Sequence, residues 1–187
     1  MKKNLFILLL AFALAGCFGR APTFYLLSAE GEAPSGGGVG IGVGPVSLAE
    51  YVDRENLVIQ TGPNEIQIAE SHLWAGDLDA SVKRVLAVNL GRRLNTGNVQ
   101  TYPWLRESEL DYQVVVDIRQ FVAGDDGYAF VEAAWRVYSL PGSQLVVSDT
   151  FSGKEPIAAE DYASVVAAES KLLGRLSAEI AGKIKSN

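Results

Sequence analysis

Residues 1–17 constrain this chain most, because they separate the part that folds from a part read as removed. Lys2 and Lys3 give a short cationic start, and Leu5 to Leu14 is uninterruptedly apolar. Such a run of about ten residues has the length of a signal-peptide core, whereas a spanning helix takes about 20. Ala15 and Gly16 are small, and Cys17 is the single cysteine. Leu14-Ala15-Gly16-Cys17 reads as a lipobox, where the leader is cut and the cysteine sulfur receives a diacylglycerol. Residues 1–16 are thus assigned to a signal peptide and Cys17 to lipid attachment. Residues 17–22, with Gly19 and Pro22, form a lipidated tether, and 23–187 form one folded domain.

Cleavage leaves 171 of the 187 residues, enough for one domain with a substantial core. A hydrophobic fraction of 48% and a charged fraction of 20% are those of a globular protein. Lys2 and Lys3 leave with the leader, so 14 of the 16 Lys and Arg residues face 22 Asp and Glu, a balance of −8. That balance argues against nucleic-acid binding and against a polybasic membrane patch, leaving attachment to the acyl chains. With Cys17 carrying lipid, no thiol remains for catalysis, and His72 is the single histidine, which excludes a cysteine–histidine zinc site within one chain. An EF-hand spacing is missing as well. The expectation is a protein with no cofactor, no metal and no catalytic residues.

Thr23 to Leu27 is β-prone and predicts a first strand; Glu30 to Gly38 is a Gly/Pro loop. Val39 to Gly44 alternates strictly, branched residues on one face and glycines on the other, so another segment can pack close on the glycine face. Pro45 is expected to end this strand or to sit where no ladder bond is needed, and Ser47 to cap a short helical turn. Leu57–Gln60 and Glu65–Ala69 predict two strands around a Thr61-Gly62-Pro63-Asn64 turn. Leu78, Val82, Val85, Leu86, Leu90 and Leu94 recur at helical spacing, predicting a helix over 77–94 that Asn95 to Asn98 stop. Val99–Tyr102 is a short strand. Tyr112–Val122, Tyr128–Tyr138 and Gln144–Phe151 form an antiparallel meander across two turns. A last helix runs from about Ala159 to Ile184, with Val165, Glu169, Leu172, Leu173, Leu176 and Ile180 on one side.

Four features invite chemistry. The run GGGVGIGVGP lacks both Gly-x-Gly-x-x-Gly and a following Gly-Lys-Ser/Thr, so a tightly packed strand explains it better than a phosphate loop. His72 has Glu70 and Ser71 nearby, but sequence neighbours do not make a triad, and a structural histidine is the better reading. Asp125 and Asp126 between two glycines read as solvated turn residues. Tyr51, Trp74, Tyr102 and Trp104 fall in predicted loops or at element ends, where large rings either anchor an interface or cover the ends of the sheet.

The order of these segments resembles the PqiC/YmbA family of ABC-type transport auxiliary lipoproteins. A lipobox is followed by Tyr25-Leu26-Leu27, then by Gly44-Pro45-Val46-Ser47-Leu48-Ala49-Glu50-Tyr51-Val52-Asp53-Arg54. Next come His72 and Trp74, the Leu78 helix, Tyr102-Pro103-Trp104, Asp111-Tyr112, Trp135 and the long final helix. The likeness covers essentially the whole mature chain. Ala75-Gly76-Asp77-Leu78 departs from it, standing where an acidic residue and a proline are expected, and the 30–38 loop is unusually glycine-rich.

The resemblance implies a single three-layer α/β domain with a mixed sheet and two long helices, similar to the TolB N-terminal domain. It also implies a non-catalytic lipoprotein working beside an ABC transporter and an MCE-domain periplasmic protein in envelope lipid transport or membrane integrity. Tyr51, Arg54, Trp74, Tyr102 and Trp104 are the expected contact residues toward that partner or toward a second copy of the chain. The absence of Asp after Cys17, where Phe18 stands, favours the periplasmic face of the outer membrane under enteric-type sorting. The alternatives are a lipid-anchored envelope hydrolase, which needs a nucleophile–base pair, and a lipid carrier with a pocket between sheet and helix.

Overall fold

The computed structural model describes residues 21–186; Cys17 and the signal segment lie outside them. The expected α/β class, mixed sheet, meander and two long helices are all present. Eight strands make one sheet: β1 (Thr23–Tyr25), β2 (Ile41–Leu48), β3 (Asn56–Gly62), β4 (Glu65–Trp74), β5 (Val99–Thr101), β6 (Tyr112–Gly124), β7 (Tyr128–Ser139) and β8 (Gln144–Pro156). Helix α1 (Leu78–Leu94) joins β4 to β5, and α2 (Tyr162–Lys185) closes the chain.

Strand β6 organises the sheet. Along one edge it pairs antiparallel with β7, from Tyr112↔Ser139 to Ala123↔Ala129, and β7 pairs with β8. Its other edge is shared. The first half pairs in parallel with β2, from Ile41↔Tyr112 to Leu48↔Ile118, and the far end pairs with β3 at Ile59↔Ala123 and Gln60↔Gly124. The sheet therefore forks at β6, with β5 beyond β2 on one branch and β4 then β1 beyond β3 on the other.

Both helices bury the stripes their periodicity predicts. Leu78, Val82, Val85, Leu86 and Leu90 of α1 and Leu172, Leu173, Leu176 and Ile180 of α2 share the core with Val114, Val116 and Ile118 of β6. Helix α1 stops at Asn95, whose left-handed φ of 51° sends its N–H back to the helix carbonyls, with Arg92 and Arg93 in the last turn toward the negative dipole end. The Asp161 carboxylate caps α2 by accepting the Ser164 N–H at 2.7 Å, which also holds its pKa below the usual value. This helix starts at Tyr162 rather than near Ala159, because the cap sits at Asp161.

Strand pairing settles one local expectation and corrects others. Of the two places expected for Pro45 the second holds: β2 continues through it, because a bulge between Val43 and Val46 places the residue without an N–H where no ladder bond is needed. Ser47 stays in the strand and donates its hydroxyl to Asp117 rather than capping a helix. Strand β8 reaches Pro156 because β7 pairs with it as far as Tyr128↔Pro156. Strand β4 also runs on to Trp74, where β1 pairs with it through Tyr25↔Trp74.

Candidate functional site

The glycine face of β2 is where distant segments meet. Tyr102 donates its N–H to the Val43 carbonyl at 2.9 Å, which fixes the start of the 102–110 loop over the strand. A β-carbon at Gly44 would lie 2.6 Å from Tyr102 Cβ, and Gly44 has φ +126°, a conformation side chains rarely adopt. At Gly42 a β-carbon would meet Leu110 Cδ1 at 2.9 Å and Trp104 Cζ3 at 3.0 Å. Tyr102 and Trp104 meet edge to face, centroids 5.2 Å apart. Trp104 is half-buried, Tyr102 is exposed, and Leu105 projects beyond them with 98% of its surface free. The loop thus presents a ring and a leucine on a platform set by missing side chains.

The five expected contact residues do not form one cluster. Tyr102 and Trp104 touch on this loop. Tyr51 and Arg54 lie in the turn after β2, where the Val52 and Asp53 N–H groups both reach the Ala49 carbonyl. Tyr51 is half-buried against the core, and burial pushes its hydroxyl above the usual value against a smaller effect of a backbone hydrogen bond with Phe121. Arg54 has its Nε buried without a hydrogen-bond partner among the described residues. Trp74 is 6% exposed and packs on Phe121, so its ring belongs to the core and is unavailable to a partner. Leu105 is the contact candidate that sequence reasoning passed over; its one signal was an apolar residue directly after Tyr102-Pro103-Trp104.

His72 sits in an aromatic cluster. The Tyr25 hydroxyl lies 2.8 Å from His72 Nδ1, and the Tyr162 ring stacks on the imidazole at 3.9 Å. These contacts tie β1, β4 and the start of α2 together. Beside them a cleft of about 480 Å³ opens between sheet and helix, lined by Ile59, Ala123, Ile157, Tyr162 and Val165, with Asp125 among its polar residues. Among the described residues no group of three or more His, Cys, Asp or Glu is placed to hold a metal ion. No helix among them is long and apolar enough to cross a membrane.

One buried carboxyl group stands apart. Glu169 lies on the inner stripe of α2, 2% exposed, and its Oε2 has no hydrogen-bond partner among the described residues. Burial alone pushes its pKa up to about 8.

Comparison with known proteins is consistent with this architecture. The family model for ABC-type transport auxiliary lipoprotein components matches residues 25–181. A crystal structure described only as that of an uncharacterized protein superposes with a TM-score of 0.75 at 21% identity, covering 88% of this chain and 99% of that one. Protein XCC0632 from Xanthomonas campestris, of family DUF330, superposes with a TM-score of 0.69 at 21% identity over the same shares. At that identity both likenesses speak for the fold. No curated protein matches the sequence.

Proposed function

The chain belongs to the family of ABC-type transport auxiliary lipoprotein components, and on that premise we propose that it is the non-catalytic lipoprotein of an envelope lipid-transport or membrane-integrity system. Acyl chains on Cys17 hold it to the periplasmic face of the outer membrane. The folded domain docks on the MCE-domain periplasmic protein that works with the ABC transporter. Both the docking and the outer-membrane placement extend the family description.

The observation that carries the docking is the 102–105 loop. A leucine left 98% in water gains nothing for an isolated domain, yet here it stands next to two rings held by the glycine face of β2. Such a platform loses little entropy when a partner covers it. The Tyr51–Arg54 turn is the second proposed contact, since a guanidinium can grip a carboxylate through two bonds.

The test compares Leu105→Asp, Trp104→Ala, Tyr51→Ala and Arg54→Ala in melting and in pull-down of the co-encoded MCE-domain protein. Leu105→Asp melts normally and loses the partner. Normal melting with normal capture for the whole set removes these residues from the interface. Lowered melting with capture retained assigns them to holding the sheet ends.

The carrier reading keeps second place because of the cleft between sheet and helix. Its mark is retention of a labelled phospholipid by the purified protein in the absence of its partner.

A further inference from the structure

We propose that a patch shared by β1 and α2 rests on the bilayer surface beside the anchor, so that the domain is seated on the membrane rather than swinging from its tether. This rests on the reading of Cys17 as the lipid-bearing residue.

Phe24 and Leu26 are each 60% exposed, although Leu27, directly after them, is buried. Standing two apart on an extended segment, they point the same way. They line one cleft of about 240 Å³ together with Ala163, Val166 and Ala167 of α2. Ala163 and Ala167 are exposed and one helical turn apart, so they share a face. No Asp, Glu, Lys or Arg lines this cleft. Tyr25, Ser28 and Ser170 supply its polar groups, so the result is an uncharged strip with Phe24, Leu26, Ala163 and Ala167 as its exposed apolar members on a chain that is acidic overall.

The position of the strip identifies what covers it. Strand β1 is an end strand of the sheet, so nothing in the sheet lies beyond it. Seven residue steps separate Cys17 from Phe24, a reach of at most about 25 Å even when fully extended. With acyl chains in the bilayer, the strip is held at high effective concentration against lipid, and further insertion needs no long-range attraction. The acidic balance of the mature chain argues for apolar contact with a zwitterionic surface. Leu105 offers an internal control: it is still more exposed, but it follows β5, at the opposite end of the sheet order.

The test exploits the single cysteine, which carries lipid in the mature protein and leaves any introduced cysteine as the one free thiol. Full-length lipidated Phe24→Cys, Ala167→Cys and Leu105→Cys are labelled with a nitroxide and reconstituted into phosphatidylcholine vesicles. Labels at 24 and 167 collide several-fold more with oxygen, which concentrates in lipid, than with a water-soluble nickel chelate. The label at 105 shows the reverse, and high salt leaves the pattern unchanged. Protein that floats with the vesicles while labels 24 and 167 behave like 105 overturns the contact and leaves the anchor standing. Labels at 24 and 167 shielded from both reagents assign the strip to a second copy of the chain and also overturn it. Protein that fails to float overturns the anchor and the contact together.

Discussion

Trp104 packs where Gly42 has no side chain: a β-carbon there would stand 3.0 Å from the Trp104 ring and 2.9 Å from Leu110 Cδ1. The alternating glycines of β2 therefore do their work on the outer face of the strand. They allow a loop more than fifty residues away in sequence to lie on the backbone, and that loop carries the most exposed leucine of the described residues.

Filling the space should dislodge the loop. Gly42→Val is expected to destabilise the fold by about 1–3 kcal/mol, the usual range for overpacking, and to weaken partner capture along with Leu105→Asp. Trp104→Ala in the Gly42→Val background should recover part of the lost stability. Urea unfolding of the two single variants and the double variant measures this; strictly additive losses would show that the two residues do not meet.

Glu169 should make stability fall as pH rises. Its folded pKa is raised to about 8 from 4.5 by burial, so the folded state holds a proton that the unfolded chain has released. The penalty is absent below about pH 4.5, grows through the window to about pH 8, and is constant above it. Glu169→Gln removes it, and should be more stable than the parent by roughly 2–5 kcal/mol at pH 8 with little difference at pH 4.5. Denaturant melts across that range check the sign and the window.

Burial should separate two leucines of equal chemistry. Leu173 is fully buried between helix and sheet, whereas Leu145 is 52% exposed on β8. Leu173→Ala should cost about 2–5 kcal/mol, and Leu145→Ala within about 0.5 kcal/mol of zero. A thermal melt of each variant settles it; equal losses would place Leu145 in an interface the isolated domain does not show.

Cys17→Ala should leave the chain with an uncleaved leader or release it into the soluble fraction, since in the proposed reading a single lipid site carries the whole attachment. Fractionation and the mass of the mature N-terminus read the outcome. An unmodified Cys17 on mature, membrane-bound protein would end the lipoprotein assignment.

Much of the fold was legible because it is local or periodic. The stripe from Leu78 to Leu90 named its own buried face, and the glycine turn at 124–127 forced β6 and β7 together. Glu169 appeared in the apolar stripe of the last helix, which was the one sign that it would be buried. The glycine alternation of β2 announced a close approach without saying which segment makes it. Trp74 and Trp104 looked alike in sequence, each beyond a predicted element. The fold buried one against Phe121 and left the other half-open under Tyr102. Pro45 could end the strand or sit within it without a ladder bond, and a bulge defined by pairing with β6 decided between the two. What the residues determined alone was therefore most of the elements and their inward faces, which depend on neighbours within a few positions. What the tertiary structure decided was which rings reach solvent, because exposure is set by chain segments that arrive from far away in sequence.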